Sequence, residues 1–276
     1  MLELGDLVAI IALSGATAML GAIGGIGGAV ILVPVLVLLG WSPLDAAPLG
    51  MAMVAASALA ATVVHTPGTH ANHRLGVTME IAASLGAAAG ALVSILIAPR
   101  ALVVVLGVAA IVSALVGGTR TGQRNLPVDG ARMTDHHDQR GRLDSAYSDE
   151  KGRVIPYRVH RVPLGVALMG LAGTIAGMTG SSGGYIKTPV MSEVLHVPVK
   201  VAAATTVFMV GITASVSLAV YALQGRVTAA IAPAILGGLL GGRFGARVQP
   251  RLPAPLVRRV LSVALFAIGL IVVVSP

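Results

Sequence analysis

Long runs without a single charged residue constrain this chain more than any other feature of its sequence. No Asp, Glu, Lys or Arg occurs from Leu7 to Leu44, from Ala46 to His73, or from Ala101 to Thr119. The same holds from Val162 to Ile186, Val201 to Gly225 and Val260 to Pro276. About 20 residues rising 1.5 Å each cross a hydrocarbon layer about 30 Å thick, so such runs read as membrane-spanning helices. Several of them in one chain specify an all-α integral membrane protein. Composition agrees, with 55% of residues hydrophobic and 11% charged, where soluble domains carry about 25% charged residues. The alternating ten-residue segments of a membrane β-barrel are absent. The opening MLELGD lacks the basic region of a signal peptide, so the first apolar stretch is expected to be retained. There is no cysteine, which removes disulfide and thiolate chemistry.

Ten hydrophobic segments are expected, at about 7–22, 26–40, 44–64, 77–97 and 100–117, then 163–179, 183–197, 199–223, 227–246 and 256–275. They fall into two sets of five, giving a first membrane repeat over 1–117 and a second over 162–276. Between them the polar stretch 118–161 holds nine basic and six acidic residues and must lie in water, partly disordered. The two sets share landmarks. Gly28 to Gly50 overlays Gly183 to Thr205, which superposes Pro34 on Pro189 and Pro43 on Pro198. Further on, Gly86-x-x-x-Gly90 corresponds to Gly237-x-x-x-Gly241. An internal duplication is expected, and five segments per copy make the two repeats inverted in topology.

Orientation follows from Lys and Arg. With the N-terminus outside, the inside loops hold sixteen of the nineteen basic residues, as the positive-inside rule requires. Both termini are then outside, the 118–161 loop is cytoplasmic, and the membrane is the cell inner membrane. Trp41 and Tyr221 fall at the outer boundary, where amphipathic rings are favoured. The formal charge of +8 is explained by these loops without a nucleic-acid partner.

Glycines interrupt the start of each repeat. The first apolar run would extend about 57 Å as one helix, too long for a single crossing. Gly21, Gly24, Gly25, Gly27 and Gly28 divide it, and Gly173, Gly177, Gly180, Gly183 and Gly184 divide its counterpart. Short, glycine-broken segments at matching positions of inverted repeats point to a transporter's central site. Where a helix begins inside the membrane, its first amides lack intrahelical acceptors and carry partial positive charge. An anion satisfies them well. Gly21, Gly25, Gly173 and Gly177, in small-xxx-small spacing, are assigned to helix packing. Gly27, Gly28, Gly180, Gly183 and Gly184 are candidate substrate-binding residues. Lys187, inside an apolar segment, adds a positive charge to that site unless it snorkels to a surface. Ser181, Ser182, Thr205 and Thr206 are candidate hydroxyl donors, with Thr179 a weaker one.

At these residues the chain resembles the TauE/SafE family of sulfite and organosulfonate exporters. GGIGGAVILVPVLVLLGWSPLDAA and GMTGSSGGYIKTPVMSEVLHVPVKVAAATT carry the resemblance. It covers both repeats and implies a duplicated helical permease for sulfur-containing or carboxylated anions. Two places depart from the family pattern, Pro48-Leu49-Gly50-Met51 in the first half and Ser181-Ser182 in the second.

Other features carry less. His65, His70, His73, His136 and His137 read as surface histidines and no metal site is assigned, because cysteines and a carboxylate pair are missing. Ser42-Pro43 with Asp45 reads as a helix start. Glu193 is the candidate for a proton relay, with Glu80 weaker. No cofactor is implied, and no Ser-His-Asp, HExxH or P-loop arrangement supports an enzyme. The function expected is a secondary transporter of small anions in the lipid bilayer, compatible with H+ or Na+ coupling and with a homodimer. An anion channel or passive pore shares the same site logic.

Overall fold

The computed structural model describes residues 3–65, 71–119, 143–148, 154–252 and 254–274. Among the described residues ten α-helices follow one another, and each expected hydrophobic segment contributes one of them. The first half contains α1 (Leu4–Gly24), α2 (Ala29–Leu38), α3 (Pro43–His65), α4 (His73–Val93) and α5 (Pro99–Thr119). The second contains α6 (Val162–Thr179), α7 (Gly184–Pro189), α8 (Val199–Leu223), α9 (Ile231–Val248) and α10 (Ala254–Val274). A π-helical turn, Val190–Val194, prolongs α7. Among the described residues five spans are long and apolar enough to cross a membrane: Leu4–Gly24, Pro43–Val63, His73–Leu96, Val162–Thr179 and Val199–Leu223. The chain is a multi-pass helical membrane protein.

Local chemistry sets the ends of these helices. Ser42 Oγ donates to Asp45 Oδ2 at 2.6 Å and accepts from the Asp45 amide at 3.2 Å, which starts α3 as its sequence predicts. Asn72 starts α4, its Oδ1 accepting from the Leu75 amide at 3.0 Å.

Small residues face inward and large apolar ones outward, the arrangement expected where lipid removes any gain from burying large side chains. On α4, Val77, Ile81, Leu85 and Leu92 are exposed while Ala83, Ala87 and Gly90 are buried. A carbon built on Gly173 would lie 1.9 Å from the Ala83 carbonyl oxygen, and one on Gly90 2.1 Å from that of Thr174. Backbone therefore meets backbone along the α4–α6 seam. The same close approach joins α1 to α9, where Gly241 lies against Gly15 and Gly245 against Met19.

Contacts in register give the helix directions. Gly237, Gly241 and Gly245 meet Ile11, Gly15 and Met19 in turn, so α1 and α9 are parallel. Gly238 and Gly242 meet Met53 and Ser57, which adds α3 to that set. Gly86 with Gly170 and Gly90 with Thr174 make α4 and α6 parallel, and Asn72 with Thr205 and Glu80 with Thr213 add α8. The two sets oppose each other, because Asp45 at the start of α3 pairs with Arg226 beyond the end of α8 while Ala58 meets Gly211. Helix α9 of the second half thus packs with α1 and α3, and α4 of the first half packs with α6 and α8. The α5–α10 pair runs antiparallel, with Gly107 against Gly269 and Val273.

Two expectations are corrected. The described part of the 118–161 stretch includes an antiparallel hairpin, β1 (Ser145–Ser148) and β2 (Val154–Tyr157). Tyr147 and Tyr157 bury their rings among Leu75, Met79, Met169 and Leu195, so this segment gains apolar burial that its polar composition conceals. Burial also pushes the Tyr157 phenol above its usual range, with hydrogen bonds to Asn72 and Ser145 opposing the rise. Tyr221 is no interfacial ring: it is fully buried and donates to the Gly177 carbonyl at 2.6 Å.

Candidate functional site

Both glycine breaks are real interruptions, and they share one backbone signature. Helix α1 ends at Gly25 (φ 65°), followed by Gly27 (φ 79°). Helix α6 ends at Gly180 (φ 71°), followed by Ser182 (φ 69°) and Gly183 (φ 68°). Under the overlay of Gly28 on Gly183, Gly25 corresponds to Gly180 and Gly27 to Ser182. Both members of each pair are left-handed, a conformation that glycine adopts freely and serine does not.

The pieces flanking the breaks differ from expectation in length. Helix α1 begins at Leu4 and α6 at Val162, so each is long enough to cross by itself. The short elements are α2 and α7. The chain doubles back at each break: Gly28 packs on Thr17 and Ala18, and Gly183 on Ala172 and Ala176. Those contacts lie about 20 Å from the start of α1 and about 15–20 Å from the start of α6, by the helical rise. Since α1 and α6 run in opposite directions, the junctions fall at a common depth inside the bundle.

There they touch. A carbon built on Gly27 would lie 2.3 Å from Ser182 Oγ, and one on Gly184 2.7 Å from the Ile26 carbonyl oxygen. Val210 of α8 lies against both Gly27 and Gly184. Gly180 packs on Ala47, and its carbonyl on Gly50, both from α3. On the other side of the junction nothing lies within 4 Å of a carbon built on Gly25. A narrow cleft opens there, lined by Gly21, Gly25, Gly27, Ser57, Val207 and Val210. It faces the end of the bundle where α3 stops and α4 and α8 begin, the end that also carries the hairpin.

The candidate hydroxyls divide by position. Ser182 Oγ is fully buried at the junction and has no hydrogen-bond partner among the described residues. A buried orphan hydroxyl costs about 1–3 kcal/mol, so native structures rarely keep one without a use. Ser181 Oγ is engaged by Thr179 Oγ1 at 2.7 Å and Tyr185 OH at 3.0 Å. Thr205 accepts from the Asn72 amide at 3.0 Å, and Thr206 donates to the Met191 sulfur at 3.6 Å. Those two bonds secure the start of α4 and the π-turn rather than facing the break.

Lys187 is wholly buried and does not snorkel. Its Nζ donates to Glu80 Oε2 at 2.9 Å and to the Thr213 hydroxyl, which itself donates to Glu80 Oε1. Ser84 Oγ adds a bond to Glu80 Oε1 at 2.9 Å. Residue-by-residue reading missed this triad, taking Glu80 only as a weaker proton-relay candidate. The available signal was two opposite charges isolated in separate apolar runs, each needing a partner. Glu193 is exposed on the π-turn. His73 is exposed and edge-on to Phe208. The side chain of His65, together with His70, His136 and His137, lies outside the described residues. Among the described residues no three His, Asp or Glu gather as a metal site.

Two interrupted helices meet at a hydroxyl that lacks a partner among the described residues, beside a buried ion pair in a multi-pass bundle, and this junction is the candidate site for a carrier. Comparison with known proteins gives the same class. Residues 9–272 match the family described as sulfite exporter TauE/SafE, a family of transporters and not of enzymes. No curated protein and no solved structure matches the chain. With nearly its whole length covered by that match, the chain belongs to the sulfite exporter TauE/SafE family.

Proposed function

We propose that this protein is a secondary transporter of small anions, with organosulfonates and sulfite its substrates, which it binds where the two glycine breaks meet. The observation that carries the reading is the contact of Gly27 with Ser182, whose buried hydroxyl lacks a partner among the described residues. The site comprises that hydroxyl, the close backbone approach allowed by Gly27, Gly28, Gly180, Gly183 and Gly184, and the unpaired first amides of α2. Lys187 supplies the positive charge. Ser181 braces Ser182 through Thr179 and Tyr185, and Thr205 and Thr206 hold the surrounding helices.

The two repeats, 1–117 and 162–276, are read as inverted copies. Three facts support this: the matched left-handed positions, the opposite directions of α1 and α6, and the exchange of packing partners. As α1 packs on α9, so α6 packs on α4, and as α3 packs on α9, so α8 packs on α4. Alternating access then follows from rocking one bundle against the other. Arg74, Lys200, Arg243, Arg247 and Arg251 gather at the hairpin end, which supports a cytoplasmic 118–161 loop and outer termini in the cell inner membrane.

A thermal-shift screen with sulfite, sulfoacetate, taurine, sulfate and carboxylates tests the reading, because ligands selective for the folded form raise its melting temperature. Sulfonates or sulfite are expected to stabilise the wild type. Ser182→Ala is expected to weaken that binding about 10- to 100-fold, the value of one hydrogen bond to a charged group. Wild-type affinity in Ser182→Ala, or no shift with any anion, overturns it. Anion flux far above carrier rates in a planar bilayer would show a channel instead.

A further inference from the structure

We propose that Glu80 and Lys187 form a proton-coupling site, at which an anion binds Lys187 only as Glu80 takes up a proton. This inference rests on the anion-carrier reading above.

The placement of the pair carries it. Glu80 is 3% exposed and Lys187 0%. One comes from α4 and the other from α7, immediately after the second break. An isolated charge in such surroundings costs several kcal/mol, so the pair is tolerable only while its net charge is zero. Thr213, which bonds both partners, lies one helical turn from Val210, and Val210 touches Gly27 and Gly184. An anion at the junction therefore sits about one turn from the ammonium. A monovalent anion brought beside the intact pair leaves a net charge of minus one in a dry interior.

One proton restores the balance. It passes from water to a Glu80 carboxylate oxygen, the Lys187–Glu80 contact breaks, and a Lys187–anion contact forms. The neutral Glu80 carboxyl then donates to Thr213 Oγ1, reversing that bond, and the Thr213 proton turns to the Met209 carbonyl, 3.1 Å away. No other bond changes, and release on the far side reverses each step. The cargo is one anion with one proton, moved without net charge.

Other titratable groups stand apart from the pair. On α4, His73 and Arg74 lie about 10 Å before Glu80 along the helix. Helix α6 carries none between Val162 and Thr179. On α8, Lys200 precedes Thr213 by about 20 Å and Tyr221 follows it by about 12 Å. Tyr185 is bonded to Ser181, Glu193 is exposed, and Tyr147 and Tyr157 lie with the hairpin. Among the described residues Lys187 is the only charged side chain bonded to Glu80.

Methanesulfonate is the probe of choice, because it is a strong acid and carries no proton of its own. Proteoliposomes containing the full chain and a pH-sensitive dye receive an inward gradient of labelled methanesulfonate. Potassium with valinomycin clamps the voltage. The expected result is luminal acidification at one proton per sulfonate. Wild-type affinity is expected to fall tenfold per pH unit on the alkaline limb, and Glu80→Gln to lose both the acidification and the pH dependence. Sulfonate entry without protons overturns the coupling alone, as does wild-type acidification by Glu80→Gln. No sulfonate entry overturns the carrier reading and this inference with it. Should Glu80→Gln fail to fold, leaving Lys187 unpaired, the wild-type proton-to-sulfonate ratio decides by itself. Glu80→Gln with Lys187→Gln removes both charges and checks folding.

Discussion

Gly173 and Gly25 show two different reasons for glycine in this chain. Gly173 is helical, and a methyl there would strike the Ala83 backbone at 1.9 Å. Gly25 has φ 65° with open space around its missing side chain. Gly173→Ala is therefore expected to force α4 and α6 apart at a cost of about 1–3 kcal/mol, as overpacking does. Gly25→Ala meets only the left-handed backbone penalty of about 1–2 kcal/mol. Unfolding of each variant in mixed micelles checks this, with Gly5→Ala, which meets nothing within 4 Å, as the neutral reference. Equal losses in Gly173→Ala and Gly5→Ala would refute the packing account. Spacing alone was enough to assign Gly173 and Gly177 to packing, because small-xxx-small periodicity is local. The partner of Lys187 was signalled only by the isolation of both charges in apolar runs, since Glu80 lies 107 positions away and reaches it through the exchange of α4 into the second bundle.

At the level of elements, apolar runs and prolines located the ten described α-helices, with most boundaries moving by only a few residues, while α7 ends eight residues short of its expected 183–197 segment and continues as a π-turn. Helix α1 exceeded its expected span because Leu4, Gly5 and Asp6 join it ahead of the uncharged run, with Glu3 and Asp6 closing a capping box. The hairpin escaped detection because its strands are four residues each and are held by tertiary burial rather than by pattern. It is fastened at Asn72, whose side-chain amide donates to Leu143 O at 3.0 Å and Tyr157 OH at 2.9 Å. Tyr157→Phe keeps the ring and removes its hydrogen bonds to Asn72 and Ser145, so the hairpin should loosen by about 1–2 kcal/mol. Amide hydrogen exchange over 143–148 and 154–160 reads this as a several-fold loss of protection. The raised phenol has a further consequence. The free phenol ionises near pH 10 and the docked one higher, so stability from the protonated docked phenol is present below pH 10 and is lost as pH rises through the folded value. Exchange of these amides should therefore accelerate above pH 10 beyond its intrinsic rate in wild type and not in Tyr157→Phe.

At the scale of the whole molecule, the two breaks are alike in backbone and unlike in surroundings. Gly180 is buttressed by Ala47, whereas Gly25 faces the cleft. The residue matching Ala47 is Ala202, which is buried near the hairpin. On the proposed alternating-access reading, this conformation is closed on the side of Gly180, and the reciprocal one would seat Gly25 on Ala202. Because the chain has no cysteine, single introduced thiols report directly on access. Ala22→Cys should react with a membrane-impermeant thiol reagent applied from the hairpin side, and Ala47→Cys should be protected from it. Similar rates at both positions would contradict this assignment.

The facing pair Gly27 and Ser182 gives the molecule a polarity that its near-symmetric frame lacks. Matched positions of the two halves lie against each other, yet one offers a hydroxyl and the other only hydrogen. On the proposed carrier reading, a bound anion would be held more firmly by the second half than by the first, and would travel with one bundle when the bundles move. The inward-facing and outward-facing conformers then have no reason to be equal in energy, and a gradient-free protein would rest with a bias toward one of them.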